Sequence, residues 1–366
     1  MKFDRPIIRS GQVREIAGFY GLVEPLEIGH LGGIPNVTYR VASAGRALAI
    51  RVCNNGYTSP EHLRGELAVL CYLRDNGFDL APAPVPGTDG ELVQHWRGYR
   101  VVATTFIEGV AGDQAPLGPA QCAQIGSAVA RLGTALATLD HGLPSSESFR
   151  ARSVRLLDGL AGHARRLAWP GDLGGVPAQF DRAMRALETA GPDGWYPAIH
   201  ADIWPPNTIY RDGTLVGLID FDDLSCGPPV LDIAAVVCEF AFPEATRLDE
   251  PLARAALAGF RAAGGVLGPV ETDTGRTLTG AGGTLADAIE ALCASWLGAN
   301  ALHGVSYEES RSLVERLALL ADPDRRAEFA GRLDGLWRRA GDGGPPGEPP
   351  AARIADRPPN PSRSPV

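Results

Sequence analysis

Apolar residues change their spacing partway along the chain. The first hundred residues read as β-rich runs with one helix. Leu26–Ile28 leads into a glycine-bearing turn at Gly29–Gly33. Asn36–Ser43 and Ala47–Val52 are rich in β-formers and flank a glycine-containing turn, so they are expected to pair antiparallel. Ser59 followed by Pro60 marks a helix start, with the hydroxyl as cap and the proline in the first helical position. Leu63, Leu67, Leu70 and Leu73 then recur at helical spacing, and Gly77 ends the run. Arg100–Ile107 is a further strand.

From Pro119 onward the helical period dominates. Cys122, Ile125, Val129, Leu132, Leu136 and Leu139 make one apolar stripe, which predicts a long helix lying on a core. Further helices are expected near Val154–Leu167, Ala178–Thr189, Leu252–Ala263, Leu285–Leu302, Ser310–Leu320 and Arg325–Arg338. Among them, Thr208–Tyr210 and Leu215–Ile219 read as short strands joined by a hairpin turn. The pattern predicts a two-lobed α+β protein: a small antiparallel sheet with one helix in residues 1–106, then a mainly helical lobe in residues 107–340. Residues 341–366 are dominated by Gly, Pro, Arg and small residues and are expected to form a disordered tail.

Composition narrows the chemistry. The formal net charge of −9 argues against nucleic acid as the main partner, which wants a basic face. Lys2 is the only lysine, so a GxxxxGK[ST] phosphate loop is excluded and any cation on a bound nucleotide must be arginine. Six scattered cysteines without a CxxC pair suggest reduced, mostly buried thiols and a cytoplasmic setting. The start, MKFDRPIIRS, lacks the apolar stretch of a signal peptide, and no window reads as a membrane span. Oligomeric state is not legible.

The densest chemistry lies in HADIWPPNTIYRDGTLVGLIDFDDLSCGPPVLD, residues 200–232. Phosphoryl transfer from ATP needs a carboxylate beside the attacking hydroxyl, with an amide oxygen and another carboxylate on Mg²⁺. Asp202 is the candidate base, Asn207 and Asp220 the candidate metal ligands. His200 is expected to brace the loop, and Asp232 to cap backbone amides or hold that loop. Asp222 would touch a second ion or the substrate, or simply be solvated. Arg51 lies in the apolar run LAIRV, and Glu66 on the apolar face of the next helix, where a carboxylate needs a partner. Together they would present the arginine to the α- and β-phosphates. Gly29, Gly32 and Gly33 would let a turn lie close over phosphates. Thr104–Ile107 is the expected hinge between lobes. Trp204, Trp296 and Asn300 are candidate walls of an acceptor pocket, although Trp296 falls within an apolar helix and reads as core. Glu239, Glu244 and Asp249 are candidates to attract an ammonium group, or form a solvated acidic face.

The order of these parts resembles the aminoglycoside phosphotransferase–choline kinase family. ALAIRV, HLRGELAVLCYLRDNG and TTFIEG match its small-lobe pattern; HADIWPPN and IDFDDLSCGPPVLDIA match its catalytic and metal segments. GIPNVTYRV with HAD looks most like the homoserine kinase type II branch, whereas FDDLSCGPP looks more like the general antibiotic and amino-alcohol kinases. The resemblance implies a protein-kinase-like fold, ATP and Mg²⁺, and a small hydroxylated acceptor. Homoserine, an aminoglycoside-like antibiotic, or no acceptor at all in a nucleotide-binding pseudokinase are the three readings it leaves.

Overall fold

The computed structural model describes residues 8–33, 36–56, 58–139, 147–188, 196–267, 270–271, 277–278 and 285–341. The expected tail lies almost wholly outside them.

Helix α1 (Ser10–Gly18) precedes strands β1 (Glu27–Gly32), β2 (Val37–Ser43) and β3 (Arg46–Val52). Helix α2 (Pro60–Asp75) follows, then β4 (Pro84–Val85), β5 (Gln94–Trp96) and β6 (Tyr99–Thr105). The strands form one antiparallel sheet in the order β1-β2-β3-β6-β4, with β5 also on β6. The α2 start is as the sequence signals: Ser59 Oγ accepts from the His62 backbone N–H at 3.1 Å, and Pro60 opens the helix.

Two expectations in this lobe need correction. There are two helices, not one. α1 carries only three buried residues, Val13, Ile16 and Ala17, and they close one face of the sheet with Val37, Val41, Leu48 and Ile50. Three apolar positions in a nine-residue helix without a Ser, Thr, Asp or Asn cap give little periodic signal. Second, the expected turn at Gly29–Gly33 is mostly strand. Gly29 pairs with Arg40 and Gly32 with Thr38, across a bulge between His30 and Gly32. β2 is long enough to receive these glycines in its ladder, so strand pairing overrides their weak β-propensity. Only Gly33, at φ +106°, leaves the strand; a Cβ there would meet the Asn36 carbonyl oxygen at 2.8 Å.

Beyond β7 (Val110–Ala111), helix α3 (Pro119–Ala137) buries the predicted stripe. Then come α4 (Phe149–Leu157), α5 (Leu160–Arg166) and α6 (Val176–Leu187). The single helix expected over Val154–Leu167 is thus two, because Gly159 at φ +80° turns the chain between them. β8 (Ala198–Ile199), β9 (Thr208–Arg211), β10 (Thr214–Leu218) and β11 (Ser225–Cys226) surround the candidate catalytic segment. α7 (Val230–Phe240) and α8 (Glu250–Ala262) follow. After the short pair β12 (Val270–Glu271) and β13 (Thr277–Leu278), helices α9 (Leu285–His303), α10 (Tyr307–Ala321) and α11 (Pro323–Arg339) complete the lobe. α9 is its axis: every residue from Leu285 to Gly298 is buried, under α4, α5, α6, α7, α10 and α11. α3 and α8 pack through glycines. A Cβ on Gly126 would lie 1.9 Å from the Ala256 carbonyl oxygen, and one on Gly259 1.9 Å from that of Ala123.

α2 ties the two parts together. Leu63 and Leu67 pack with Cys53 and Val102 beside the sheet, whereas Val69, Leu70 and Leu73 enter the helical core. Burying these side chains on both sides, at roughly 1.5–3 kcal/mol each, fixes the helix that carries Glu66. No described helix is long and apolar enough to cross a membrane.

Candidate active site

The candidate catalytic segment runs from the end of β8 to β9, and Asp232 in the first turn of α7 holds it. The backbone N–H groups of His200 and Ala201 donate to Asp232 Oδ2 and Oδ1, both at 2.9 Å. Asp232 is buried, and that burial pushes its carboxyl above the usual range even though His200 and the two N–H groups oppose the shift. The clamp keeps Ala201 at φ +63°, a left-handed conformation that non-glycine residues avoid. His200 is the expected brace. Burial pushes its pKa down, so the ring is neutral. Its Nε2 lies 3.1 Å from the Ile219 carbonyl oxygen, and its Nδ1 accepts from the Asp202 N–H at 3.3 Å. Only the tautomer protonated on Nε2 serves both contacts. The ring packs on Phe221 with centroids 4.5 Å apart.

Asp202 and Asn207 meet directly. Asn207 Nδ2 donates to the Asp202 carbonyl oxygen at 2.9 Å and to Asp202 Oδ2 at 3.0 Å. This places the amide nitrogen on Asp202 and leaves the amide oxygen as the end suited to a cation. The Asn207 carbonyl oxygen accepts from the Ile219 N–H at 2.9 Å, which brings the end of β10 against the loop. Asp220 is the next residue, at φ +66°. Its surface is exposed, with its carboxyl group set among the charges of Asp202, Arg51, Asp223 and Glu66. Burial first, then the negative charge of Asp202, push its pKa up to about 7. All three residues singled out for metal and proton chemistry are therefore neighbours.

The sheet supplies the opposing cation. Arg51 Nη2 donates to Glu66 Oε2 at 2.6 Å, the pairing expected from sequence. Burial works against the Arg51 charge, but Glu66, Cys53 and Asp220 together more than offset it and the guanidinium stays protonated. The register Gly32↔Thr38↔Arg51 sets Gly32 two strands from Arg51, about 10 Å away, at the same end of the sheet. Gly29 lies further up β1, level with Ala49.

Asp222, left open by the sequence, is the junction of the lobes. It forms an ion pair with Arg51. Its Oδ2 accepts from Asn36 Nδ2 at 2.6 Å, and its carbonyl oxygen lies 2.6 Å from His62 Nε2. Burial pushes the His62 pKa down, consistent with a neutral ring donating to that carbonyl. Asn36, His62 and Arg152, which pairs with Asp223, were not singled out from sequence. Their partners lie 71 to 186 residues away, beyond any local pattern.

Other candidates fall elsewhere. Trp296 is buried in α9, and Asn300 Nδ2 donates to Ser310 Oγ at 3.2 Å, so both belong to the core rather than to a pocket wall. Trp204 is half-buried, two residues from Asp202. Glu239 is buried in α7, Glu244 pairs with Arg247, and Asp249 caps α8 by accepting from the Leu252 N–H at 3.1 Å. Their sequence proximity is not a shared acidic face. Among the described residues no three His, Cys, Asp or Glu side chains gather into a metal cluster. One amide oxygen and one carboxylate nonetheless suit Mg²⁺, which takes few protein ligands and fills the rest with phosphate and water.

The model of the phosphotransferase enzyme family matches residues 28–266, well over half of the chain. The chain belongs to that family, and its fold is the two-lobed protein-kinase-like α+β fold; it is an enzyme of the small-molecule kinase class. The homoserine kinase of Gluconacetobacter diazotrophicus is 29% identical over 263 residues, covering 70% of this chain and 75% of that one. The homoserine kinase of Beijerinckia indica is 31% identical over 186 residues, or 48% of this chain and 52% of its own length. Several further curated relatives are likewise matched over only about half their length. Among solved structures, an amicoumacin kinase in complex with AMP-PNP, Ca²⁺ and Ami is similar at TM-score 0.63 and 16% identity, covering 91% of this chain and 94% of that one. A microcompartment-associated aminopropanol kinase is similar at TM-score 0.63 and 19% identity, covering 91% and 100%.

Proposed function

We propose that the protein transfers the γ-phosphoryl group of ATP to the hydroxyl of a small amino-bearing alcohol such as homoserine. The contact of Asp202 with Asn207, next to Asp220 and across from the Arg51–Glu66 pair, carries this reading. Phosphoryl transfer asks for positioning and charge compensation rather than covalent chemistry, and these five residues are the ones it needs.

Asp202 would accept the hydroxyl hydrogen bond, aim the oxygen at the γ-phosphorus and take the proton late in the step. Arg51, steered by Glu66, would leave Asp222 for the α- and β-phosphates, an arginine in the place of the missing lysine. Gly32 and Gly33 would bring backbone near the phosphates, with Gly29 further from them. Asn207 and Asp220 would hold Mg²⁺, which when bound neutralises charge on the phosphates. The upward shift of Asp220 fits a carboxylate whose natural companion is a cation. A cytoplasmic setting, where ATP is supplied, goes with this reading.

The homoserine kinases among the relatives favour an amino-acid alcohol as acceptor. Incubating the protein with ATP, Mg²⁺ and a panel of homoserine, amino alcohols and aminoglycosides, with phosphate transfer followed by mass spectrometry, tests it. Phosphorylated homoserine supports the proposal. Transfer only to an aminoglycoside overturns the acceptor, and nucleotide binding without transfer to any alcohol makes the protein a pseudokinase.

A further inference from the structure

Arg152 and Asp223 form an ion pair that the phosphoryl-transfer step does not use. Arg152 lies in the first half of α4, and Asp223 three residues past Asp220. Besides the side-chain pair, Arg152 Nη1 donates to the Asp223 carbonyl oxygen at 3.1 Å. The two side chains keep 21% and 26% of their surface exposed, so the pair is open to solvent. The Asp223 charge acts on Asp220, on His200 and on His303 at the end of α9. The pair therefore borders the catalytic carboxylates from the helical lobe, while Arg51 and Glu66 serve from the sheet side.

The pair is intermediate in burial, so breaking it from one side would strand a charge. Opening it costs little if both charges find new partners. A zwitterion supplies both at once: its carboxylate meets the guanidinium, its ammonium meets the aspartate, and no charge is left unpaired. A polycation would bring positive charge against Arg152, and a simple amino alcohol would leave that arginine without an anion.

Resting on the kinase reading above, we propose that Arg152 and Asp223 are the specificity anchors of the acceptor site. Arg152 takes the carboxylate and Asp223 the ammonium of a hydroxyl-bearing α-amino acid, and the hydroxyl extends to Asp202. The two residues position the acceptor and take no part in proton transfer.

The test compares kcat/KM of the full chain for L-homoserine, for 3-aminopropan-1-ol, which lacks the carboxylate, and for 4-hydroxybutanoate, which lacks the amine. The wild type is expected to prefer homoserine over each by about a hundredfold or more, since a site built for a polar group rejects the analogue lacking it. Arg152→Met should cut the preference over aminopropanol at least about tenfold and leave the preference over hydroxybutanoate in place. Asp223→Asn should do the reverse. Arg152→Lys, which keeps the charge and loses the planar fork, should fall between wild type and Arg152→Met. Misfolding lowers all three substrates together and cannot produce this crossed pattern. The anchors are overturned if both preferences survive or fall together in each variant. Equal use of aminopropanol and homoserine by the wild type also overturns them and leaves the kinase reading intact. If none of the three is phosphorylated, the acceptor class and the anchors both fall, and transfer to another alcohol of the panel would show that the kinase reading survives.

Discussion

Replacing Asp232 should damage both stability and turnover, although this residue never meets a substrate. Its carboxylate accepts the His200 and Ala201 N–H groups at 2.9 Å each and lies buried at 4% exposure. Hydrogen bonds to a charged group contribute about 1.5–3 kcal/mol each, so the two are worth roughly 3–6 kcal/mol before opposing terms. The opposing term is the cost of burying the carboxylate, visible in its raised pKa. Asp232→Ala removes that cost but leaves two buried N–H groups without an acceptor, at about 1–3 kcal/mol each. Asp232→Asn keeps one acceptor oxygen and sets an NH₂ against the other N–H, for an expected loss of about 1–3 kcal/mol. With the clamp gone, Ala201 relaxes from its positive φ, and Asp202 next to it shifts. A misplacement of about 1 Å is enough to lower kcat about a hundredfold. Urea unfolding followed by far-UV circular dichroism, with kcat measured on the folded fraction, reads both effects. If Asp232→Ala stays within about 1 kcal/mol of wild type and keeps its turnover, Asp232 does not clamp the loop.

Two further outcomes follow from the same geometry. Glu66→Gln should weaken ATP binding by about tenfold, because the Arg51–Glu66 pair then loses its opposite charge, a loss of about 1.4 kcal/mol; an unchanged nucleotide Kd by calorimetry removes Glu66 from the site. Asp220→Asn should raise the thermal midpoint of the metal-free protein in EDTA, and more at pH 8 than at pH 5.5. The folded pKa of about 7 lies above the ordinary value of 3.8, so wild type keeps its full stability below about 3.8, loses it as pH rises from there to about 7, and regains none above. The amide carries no proton to lose. A difference between variant and wild type that does not grow with pH contradicts the assigned environment of Asp220.

What could be read from the sequence was local. The hairpin ending at Asp220, the helix start at Ser59 and Pro60, and the apolar stripe of α3 are written in neighbouring residues, and the structure has them. The Arg51–Glu66 pair was legible because a carboxylate on an apolar helix face demands a cation and the preceding strand offered one. The glycine run failed because pairing to β2, not its own turn preference, decides its conformation. The second helix of the small lobe failed because α1 is stabilised by packing on the sheet rather than by periodicity. The helix expected over Val154–Leu167 failed at one glycine. Asp222 was open between a second ion or substrate and plain solvent. Its role arises only when Asn36, His62 and Arg51, drawn from three separate elements, converge on it. Asn300 misled in the opposite sense: a polar group on a helix looks like a pocket wall until the helix proves to be the axis of the core.

The central claim is that Asp202 orients the attacking hydroxyl in a phosphoryl transfer that the neighbouring Asn207 and Asp220 support. Single-turnover transfer from γ-labelled ATP to the accepted alcohol, compared between wild type and Asp202→Ala at saturating nucleotide, addresses it directly. The account predicts a rate lower by about two to four orders of magnitude, with the nucleotide Kd nearly unchanged. Near-normal transfer by Asp202→Ala would contradict it.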